Sequence, residues 1–212
     1  MKAKAISMGL ALAAAILFPT HVALAEVRTF EVRAGTSRVS FVSDAPLETL
    51  NGVSSQVSGE LRVDTSDVST ARGTVEVATA SLRTGNDLRD EHLRSDTWLD
   101  AAHHPAIRFE LLGVSGAREL APNRTTNVQV RGRFTLHGVS KEVTVQAQVK
   151  LMPLTAAMRA QAGGVNGDVI RIHATFPVRL TDFGVSVPSI VQLKVSNEIA
   201  VEVSLTAVAR PR

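Results

Sequence analysis

"NVQVRGRFTLHG", residues 127–138, alternates small or apolar side chains with polar ones along its whole length. The first set comprises Val128, Val130, Gly132, Phe134 and Leu136, and the second comprises Gln129, Arg131, Arg133, Thr135 and His137. A β-strand points successive side chains to opposite faces. This period of two therefore predicts a strand with one dry face and one face in water.

The same period recurs along most of the chain. Long copies cover residues 141–152, 169–180 and 197–209, and shorter copies cover residues 28–33, 37–43, 56–63, 72–80 and 106–112. Together with the quoted segment they make nine predicted strands. One-sided alternation is typical of antiparallel sheets, because strands of parallel sheets are buried on both faces.

The dry face of such a sheet has few helical segments to cover it, so the sheet must close on itself. The sequence predicts an all-β fold, either an antiparallel closed barrel of about eight strands or a sandwich. An outer-membrane barrel is not favoured, because its dry face turns outward and carries aromatic girdles. This chain has no Tyr and one Trp.

The period of two is lost in one long connection, residues 84–102. Asn86 or Asp87 can cap a short helix there. Pro105 then returns the chain to an extended conformation. We expect a short helical connection between two strands.

The first 25 residues have the composition of a secretory leader. Lys2 and Lys4 precede an apolar run, and the tripeptide ALA at residues 23–25 matches a signal-peptidase site. The run is too short to span a bilayer, so no integral membrane span is predicted. We expect a signal peptide over residues 1–25, and one domain over residues 26–212 located in the periplasm.

Charge and cysteine content exclude several classes of partner and site. Lys2 and Lys4 leave with the leader, which lowers the formal net charge from +3 to +1. A nearly neutral chain lacks the basic field that attracts polyanions, so we expect no nucleic acid as partner. The absence of cysteine excludes disulfides, thiol nucleophiles and thiolate metal sites.

A cluster of histidines is the main candidate for chemistry. His92, His103 and His104, with Asp96 or Asp100, could hold zinc in a metal-dependent hydrolase. Against this, the chain has no His-Glu-x-x-His motif, and so polar a segment is typical of a solvated surface. We therefore expect no catalytic residue, no metal and no cofactor.

Two neighbouring carboxylates in the connection could instead serve acid–base chemistry. The pair could be Asp90 with Glu91, or Asp96 with Asp100, and Arg89 and Arg94 stand nearby. Such a pair needs an enclosed setting before its two pKa values separate. The neighbouring cations favour surface ion pairs.

Small residues on the predicted dry side leave two alternatives open. These residues are Gly59, Gly73, Gly132, Ala147 and Ala174. They could leave volume for a ligand in an apolar cavity, since a barrel of about eight strands is near the size that holds one small molecule. They could also mark bends in strongly coiled strands around a filled core.

Four segments together resemble the YceI-like family of exported bacterial proteins. They are "LRDEHLRSDTWLDAAHHPAIRFE" (residues 88–110), "GRFTLHGVSKEVTV" (residues 132–145), and the pair "DFG" and "VSNEIAVEVSL" (residues 182–184 and 195–205). The resemblance spans nearly all of the chain after the leader. It implies a lipocalin-like antiparallel barrel with a helical connection, whose long apolar pocket holds a polyisoprenoid or an isoprenoid quinone. It also implies no established catalytic residues and a link to stress responses.

On this basis we predict the residues that meet the ligand. The predicted lumen residues are Ile107, Phe109, Val130, Phe134, Leu136, Val143, Val145, Ile172, Phe176, Val178, Val201 and Val203. Leu93, Trp98 and Leu99 are predicted at the mouth. We expect the bound molecule to be an isoprenoid lipid rather than a cofactor.

Two alternatives and two further partners stay open. The function could instead be the metal-dependent hydrolase, or a ligand-free stress-response interaction module whose barrel is filled by its own side chains. An apolar mouth or an exposed barrel edge could also support transient membrane contact or a homodimer.

Overall fold

The computed structural model describes residues 26–161 and 165–211. The predicted leader therefore lies outside the described residues. Ten strands are present in the described ranges: β1 Val27–Val32, β2 Arg38–Asp44, β3 Thr49–Ser54, β4 Val57–Asp64, β5 Arg72–Ala78, β6 Ala106–Ser115, β7 Thr125–Leu136, β8 Val139–Met152, β9 Val169–Arg179 and β10 Glu198–Ala209. Two α-helices accompany them, α1 Asp87–Arg94 and α2 Ala156–Gln161. Short 3₁₀ turns cover Val68–Thr70, Thr79–Ser81, Leu180–Phe183 and Ser189–Val191.

The strands form one antiparallel sheet that closes into a barrel. Its order is β1-β4-β5-β6-β7-β8-β9-β10, and β10 pairs with β1 to complete the ring of eight. Closure brings Phe30 opposite Ala209 and Val32 opposite Ala207. This confirms the prediction of an all-β, lipocalin-like closed barrel of about eight strands.

Two positions in the ring are occupied by interrupted strands. β1 and β2 lie end to end, and both pair with β10. β3 pairs with β2 and lies end to end with β4. At the first interruption, Thr206 donates its backbone N–H to the buried Ser37 hydroxyl over 3.0 Å. That side chain therefore takes the place of a missing ladder hydrogen bond.

The two ends of the barrel differ. One end, called the mouth here, gathers the β2–β3 turn, the connection of residues 79–105, the two-residue β7–β8 turn and the connection of residues 180–197. At the far end Val68 and Leu120 are buried on segments held together by backbone hydrogen bonds, among them Leu120 N–H to Thr65 O at 2.8 Å. The barrel is therefore plugged at the far end.

The β7–β8 turn changes the position predicted for His137. The strand ends at Leu136, and His137 and Gly138 both have positive φ, 50° and 74°. This is the backbone that a two-residue hairpin turn requires. His137 therefore lies in the turn at the mouth and not on the wet face of the strand.

Two of the glycines on the predicted dry side allow neighbouring strands to approach closely. A Cβ at Gly59 would lie 2.2 Å from the carbonyl oxygen of Thr74, and one at Gly73 would lie 2.2 Å from that of Glu60. These two glycines are required by the close approach of β4 and β5, so they do not leave volume for a ligand.

No helix within the described ranges is long and apolar enough to cross a membrane.

Candidate functional site

An apolar cavity of about 640 Å³ occupies the barrel. It is bounded by Val68 and Leu120 at the plugged end and by Leu88 and Ile190 at the mouth. Ligand pockets for small molecules have volumes of roughly 300–1,000 Å³ and predominantly apolar walls. The interior is therefore a pocket and not a core filled by its own side chains.

Eleven of the twelve predicted lumen residues lie in the cavity wall. They are Ile107, Phe109, Val130, Phe134, Leu136, Val145, Ile172, Phe176, Val178, Val201 and Val203. They stand there because the strand period of two turns each of them to the same face of the closed sheet. Contact with a ligand remains a prediction.

Val143 is the exception, and its predicted position is corrected. It packs against the core cluster near the mouth and does not line the cavity. Its cross-strand partner is Gly132, and the ring of Phe109 lies over that glycine. We attribute the difference to this ring, which forms the inner surface at that level of the wall.

Aromatic rings narrow the cavity near the mouth. Phe134 meets Phe176 and Phe183 edge to face, with ring centroids 5.8 Å and 5.4 Å apart. Phe109 fills the space above Gly132, where a Cβ would lie 2.1 Å from its Cζ. The small residue at position 132 therefore accommodates a phenyl ring, whereas Ala147 and Ala174 do line the cavity.

The connection of residues 79–105 supplies one side of the mouth. Asn86 caps α1 by accepting a hydrogen bond from the backbone N–H of Arg89 over 3.0 Å. The predicted mouth residues Leu93, Trp98 and Leu99 all line the cavity. Leu99 is buried among the core residues of the same end.

Asp90 holds this connection in place, which corrects its predicted surface position. Its side chain is 2 % exposed and accepts hydrogen bonds from the backbone N–H and the hydroxyl of Thr84, each over 2.7 Å. Burial favours the neutral acid, yet the bonds from Thr84 and the charges of Arg83 and Arg94 hold the pKa of Asp90 below its usual value. The carboxylate is a structural acceptor and not part of an acid–base pair.

Polar groups in the cavity wall are concentrated at the mouth. Glu48, Arg89, His92 and Lys194 all belong to the wall there. Arg89 donates to Glu48 over 2.9 Å and to the Thr84 hydroxyl over 2.9 Å. The mouth is therefore the polar end of an otherwise apolar cavity.

Four exposed apolar side chains surround the same opening. Ile190 is 91 % exposed, Leu47 68 %, Leu88 63 % and Leu193 58 %. The backbone N–H of Leu47 donates to the carbonyl of Leu193 over 2.8 Å, which joins the β2–β3 turn to the connection of residues 180–197. We call these four residues the apolar rim.

The structure does not bring together the histidines of the metal-site alternative. His92 lines the mouth, while His103 is exposed and contacts the Asp100 carboxylate over 2.9 Å. Among the described residues, the group that could hold a metal ion is Asp100, His104 and His137, whose ligand atoms lie within 4.8 Å of one another. The hydrogen bond from His103 holds the pKa of Asp100 below its usual value.

The sequence did not reveal the cavity-wall residues that come from the first half of the chain and from one loop. Examples are Phe41, Leu50 and Leu61 from the short strands, and Val191 and Val195 from residues 188–195. The period of two in residues 37–43 and 56–63 could have indicated the strand positions. The loop residues carry no local signal, since only packing at the mouth brings them to the cavity.

A family model described as YceI-like domain matches residues 30–207. Two curated relatives, each called a UPF0312 protein, come from Vibrio campbellii and Pseudomonas putida. The first is 27 % identical over 149 residues, 70 % of this chain and 74 % of the relative. The second is 28 % identical over 153 residues, 72 % of this chain and 72 % of the relative.

Two solved structures have a similar fold. Burkholderia cenocepacia BcnA matches with a TM-score of 0.66 at 20 % identity, covering 84 % of this chain and 99 % of that one. A polyisoprenoid binding domain from Saccharophagus degradans, implicated in plant cell wall breakdown, also matches with a TM-score of 0.66. It is 18 % identical and covers 87 % of this chain and 100 % of its own.

Proposed function

Because this chain belongs to the YceI-like family, we propose that it binds an isoprenoid lipid or an isoprenoid quinone in its barrel and catalyses no reaction. The apolar cavity of about 640 Å³ carries this proposal. A fold neighbour described as a polyisoprenoid binding domain supports it.

The shape of the cavity favours a chain over a compact polar molecule. One end is plugged by Val68 and Leu120, and the other opens between Leu88 and Ile190. Each Å² of apolar surface that leaves water contributes about 25 cal/mol, so a prenyl tail gains affinity unit by unit without a specific hydrogen bond. Affinity should rise with chain length until the tail reaches the plug.

The head group would remain at the mouth. Arg89, His92 and Lys194 can donate hydrogen bonds there, and Glu48 is already engaged by Arg89. A quinone or a hydroxyl head group can accept hydrogen bonds from these side chains.

We place this function in the periplasm, as part of a stress response, and propose transient contact of the mouth with a lipid bilayer. The apolar rim supports the contact, because all four of its side chains are exposed and two of them, Leu88 and Ile190, also belong to the cavity wall. Lys194 beside Leu193 adds a cation, which suits anionic lipid head groups. The same rim could instead form the interface of a homodimer, so a test must distinguish bilayer contact from self-association.

Native mass spectrometry of gently purified protein, followed by organic extraction, tests the binding function. A one-to-one adduct whose mass matches a prenyl chain is the expected result. Trp98, the single Trp, lies in the cavity wall, so added quinone should quench its fluorescence. An unliganded mass, together with no quenching by quinones and no binding of polyprenols, would contradict the proposal.

The two alternative functions have less support from the structure. A ligand-free interaction module requires a filled barrel, and the cavity argues against this. The hydrolase was expected to use His92 together with His103 or His104, yet the candidate metal group in the described residues unites His104 with Asp100 and His137 and does not include His92.

A further inference from the structure

Three side chains with metal-ligand chemistry meet beside the mouth, on two separate parts of the chain. Asp100 and His104 lie in one tight loop, where the Asp100 carbonyl accepts the backbone N–H of His104 over 2.7 Å. His137 comes from the β7–β8 turn. One ligand atom from each of the three lies within 4.8 Å of the other two.

The hydrogen bond of His137 determines which nitrogen of its neutral ring keeps a free lone pair. Its Nδ1 lies 3.3 Å from the carbonyl oxygen of Phe183. Because a carbonyl only accepts, Nδ1 carries the hydrogen of the neutral ring and Nε2 does not. Metal-binding histidines are typically held by this kind of bond from the other nitrogen to a backbone carbonyl.

The ring of His104 packs against the ring of His137. The two rings meet edge to face with centroids 4.8 Å apart. A Cβ at Gly138 would lie 2.6 Å from Cε1 of His104, so the glycine permits this approach.

Asp100 completes a set of two imidazoles and one carboxylate. Its side chain is 17 % exposed, and His103 Nδ1 contacts both carboxylate oxygens over 2.9 Å. His103 therefore positions the carboxylate from the solvent side, as partners of metal-bound carboxylates do.

We propose that Asp100, His104 and His137 bind a first-row divalent cation, with Zn²⁺ as the best-suited ion. Zinc binds histidine nitrogen and carboxylate oxygen at about 2.0–2.2 Å in tetrahedral geometry, which places the donors ~3.4 Å apart. Because the three ligand atoms lie within 4.8 Å of one another, each pair must approach by roughly 1.4 Å at most to bind zinc. Water takes the fourth position.

The ion would add a bond between two parts of the mouth that are distant in sequence. It links the loop that follows Trp98 and Leu99 to the β7–β8 turn, and through His137 to the turn that ends at Phe183. An ion that binds only the folded chain stabilises it by mass action. The proposal is independent of the cavity ligand, because none of the three ligating residues lines the cavity.

Isothermal titration of chelator-treated protein without a histidine tag, using ZnCl₂ alone, tests the site. We expect one ion per chain and a thermal midpoint that rises with free Zn²⁺. His104→Gln and His137→Asn should each weaken binding by at least about tenfold. Asparagine is chosen at position 137 because it tolerates the positive φ of this turn.

His173→Gln is the matched control, because His173 lies on the wall strand β9 beside Ser204. Absence of saturable binding, or wild-type affinity in both His104→Gln and His137→Asn, would overturn the proposal. If His137→Asn does not fold, His104→Gln carries the test together with the visible absorption of bound Co²⁺. That absorption should indicate a tetrahedral site in the wild type and be lost in the variant.

Discussion

The ring of Phe109 lies over Gly132 of the neighbouring strand, so closely that a Cβ at Gly132 would stand 2.1 Å from Cζ of the ring. Gly132→Ala should force the ring toward the cavity and destabilise the fold by about 1–3 kcal/mol through overpacking. Chemical denaturation measures this change. Gly113→Ala is the control, because no atom lies within 4 Å of its added Cβ. Equal stability of the two variants would show that the ring moves freely.

Ala174 offers a way to shorten the cavity without disturbing its wall. Its side chain lines the lumen from β9, while Thr175 beside it is exposed on the outer face. Ala174→Leu should reduce affinity for long prenyl chains about tenfold, because the added carbons occupy ligand volume. Quenching of Trp98 by a quinone series measures it. Thr175→Leu should bind as the wild type does, and an equal loss in both variants would contradict the lumen assignment.

Asp90 is predicted to be essential for the order of the mouth connection. Asp90→Ala leaves the partly buried N–H and hydroxyl of Thr84 without their acceptor, at a cost of about 1–3 kcal/mol. Hydrogen exchange should accelerate in α1 and in the segment before it. Glu91→Ala removes the neighbouring exposed carboxylate and should change little. Unchanged exchange in Asp90→Ala would refute this role.

The plugged end should lose stability in acid through Asp168. Burial of this carboxylate opposes its ionisation, but Arg28 at 2.7 Å and the backbone N–H of Leu154 hold the pKa of Asp168 below its usual 3.8. A lowered folded pKa means that the ionised group stabilises the fold above the unfolded pKa, and that this contribution disappears as pH falls through the folded value.

Asp168→Asn should therefore lower the thermal midpoint at about pH 7, and its difference from the wild type should shrink below about pH 4. Asp182→Asn is the control, because Asp182 is half exposed and lies 3.7 Å from Lys141. A difference that stays constant from neutral to acidic pH would exclude the ionised Asp168 as its source.

The apolar rim should govern contact with bilayers. Replacing both Leu88 and Ile190 with Ser removes two largely exposed apolar side chains and should reduce binding to anionic vesicles by about tenfold. Cosedimentation measures the bound fraction. Val27→Ser, at the opposite end of the barrel, is the control because Val27 is also exposed. Wild-type vesicle binding in the double variant, or loss of a dimer instead, would favour self-association through the rim.

Local patterns predicted most of the wall. The period of two located nine strands, and the helix capped by Asn86 was also expected. The strand β3, Thr49–Ser54, was missed because it is short and has a glycine where the pattern needs a side chain. Phe41 lies over that glycine, Gly52, and this contact is not visible in either segment alone.

The candidate sites were less predictable, because they depend on residues that are distant in the chain. Val143 has the correct period for the lumen but stands beside a glycine covered by Phe109. His104 was grouped with His92 and His103 by proximity in sequence, whereas folding places it against His137.

The sequence by itself determined the strand period, and hence an antiparallel sheet with one dry face that had to close. Those properties follow from the geometry of each strand and from the burial of its apolar side chains. Only the tertiary structure decided that the interior stays open, that Asp90 is buried and that Asp100 meets His104 and His137. These features depend on strand register and on how the connections pack at the mouth, which local residue patterns do not encode.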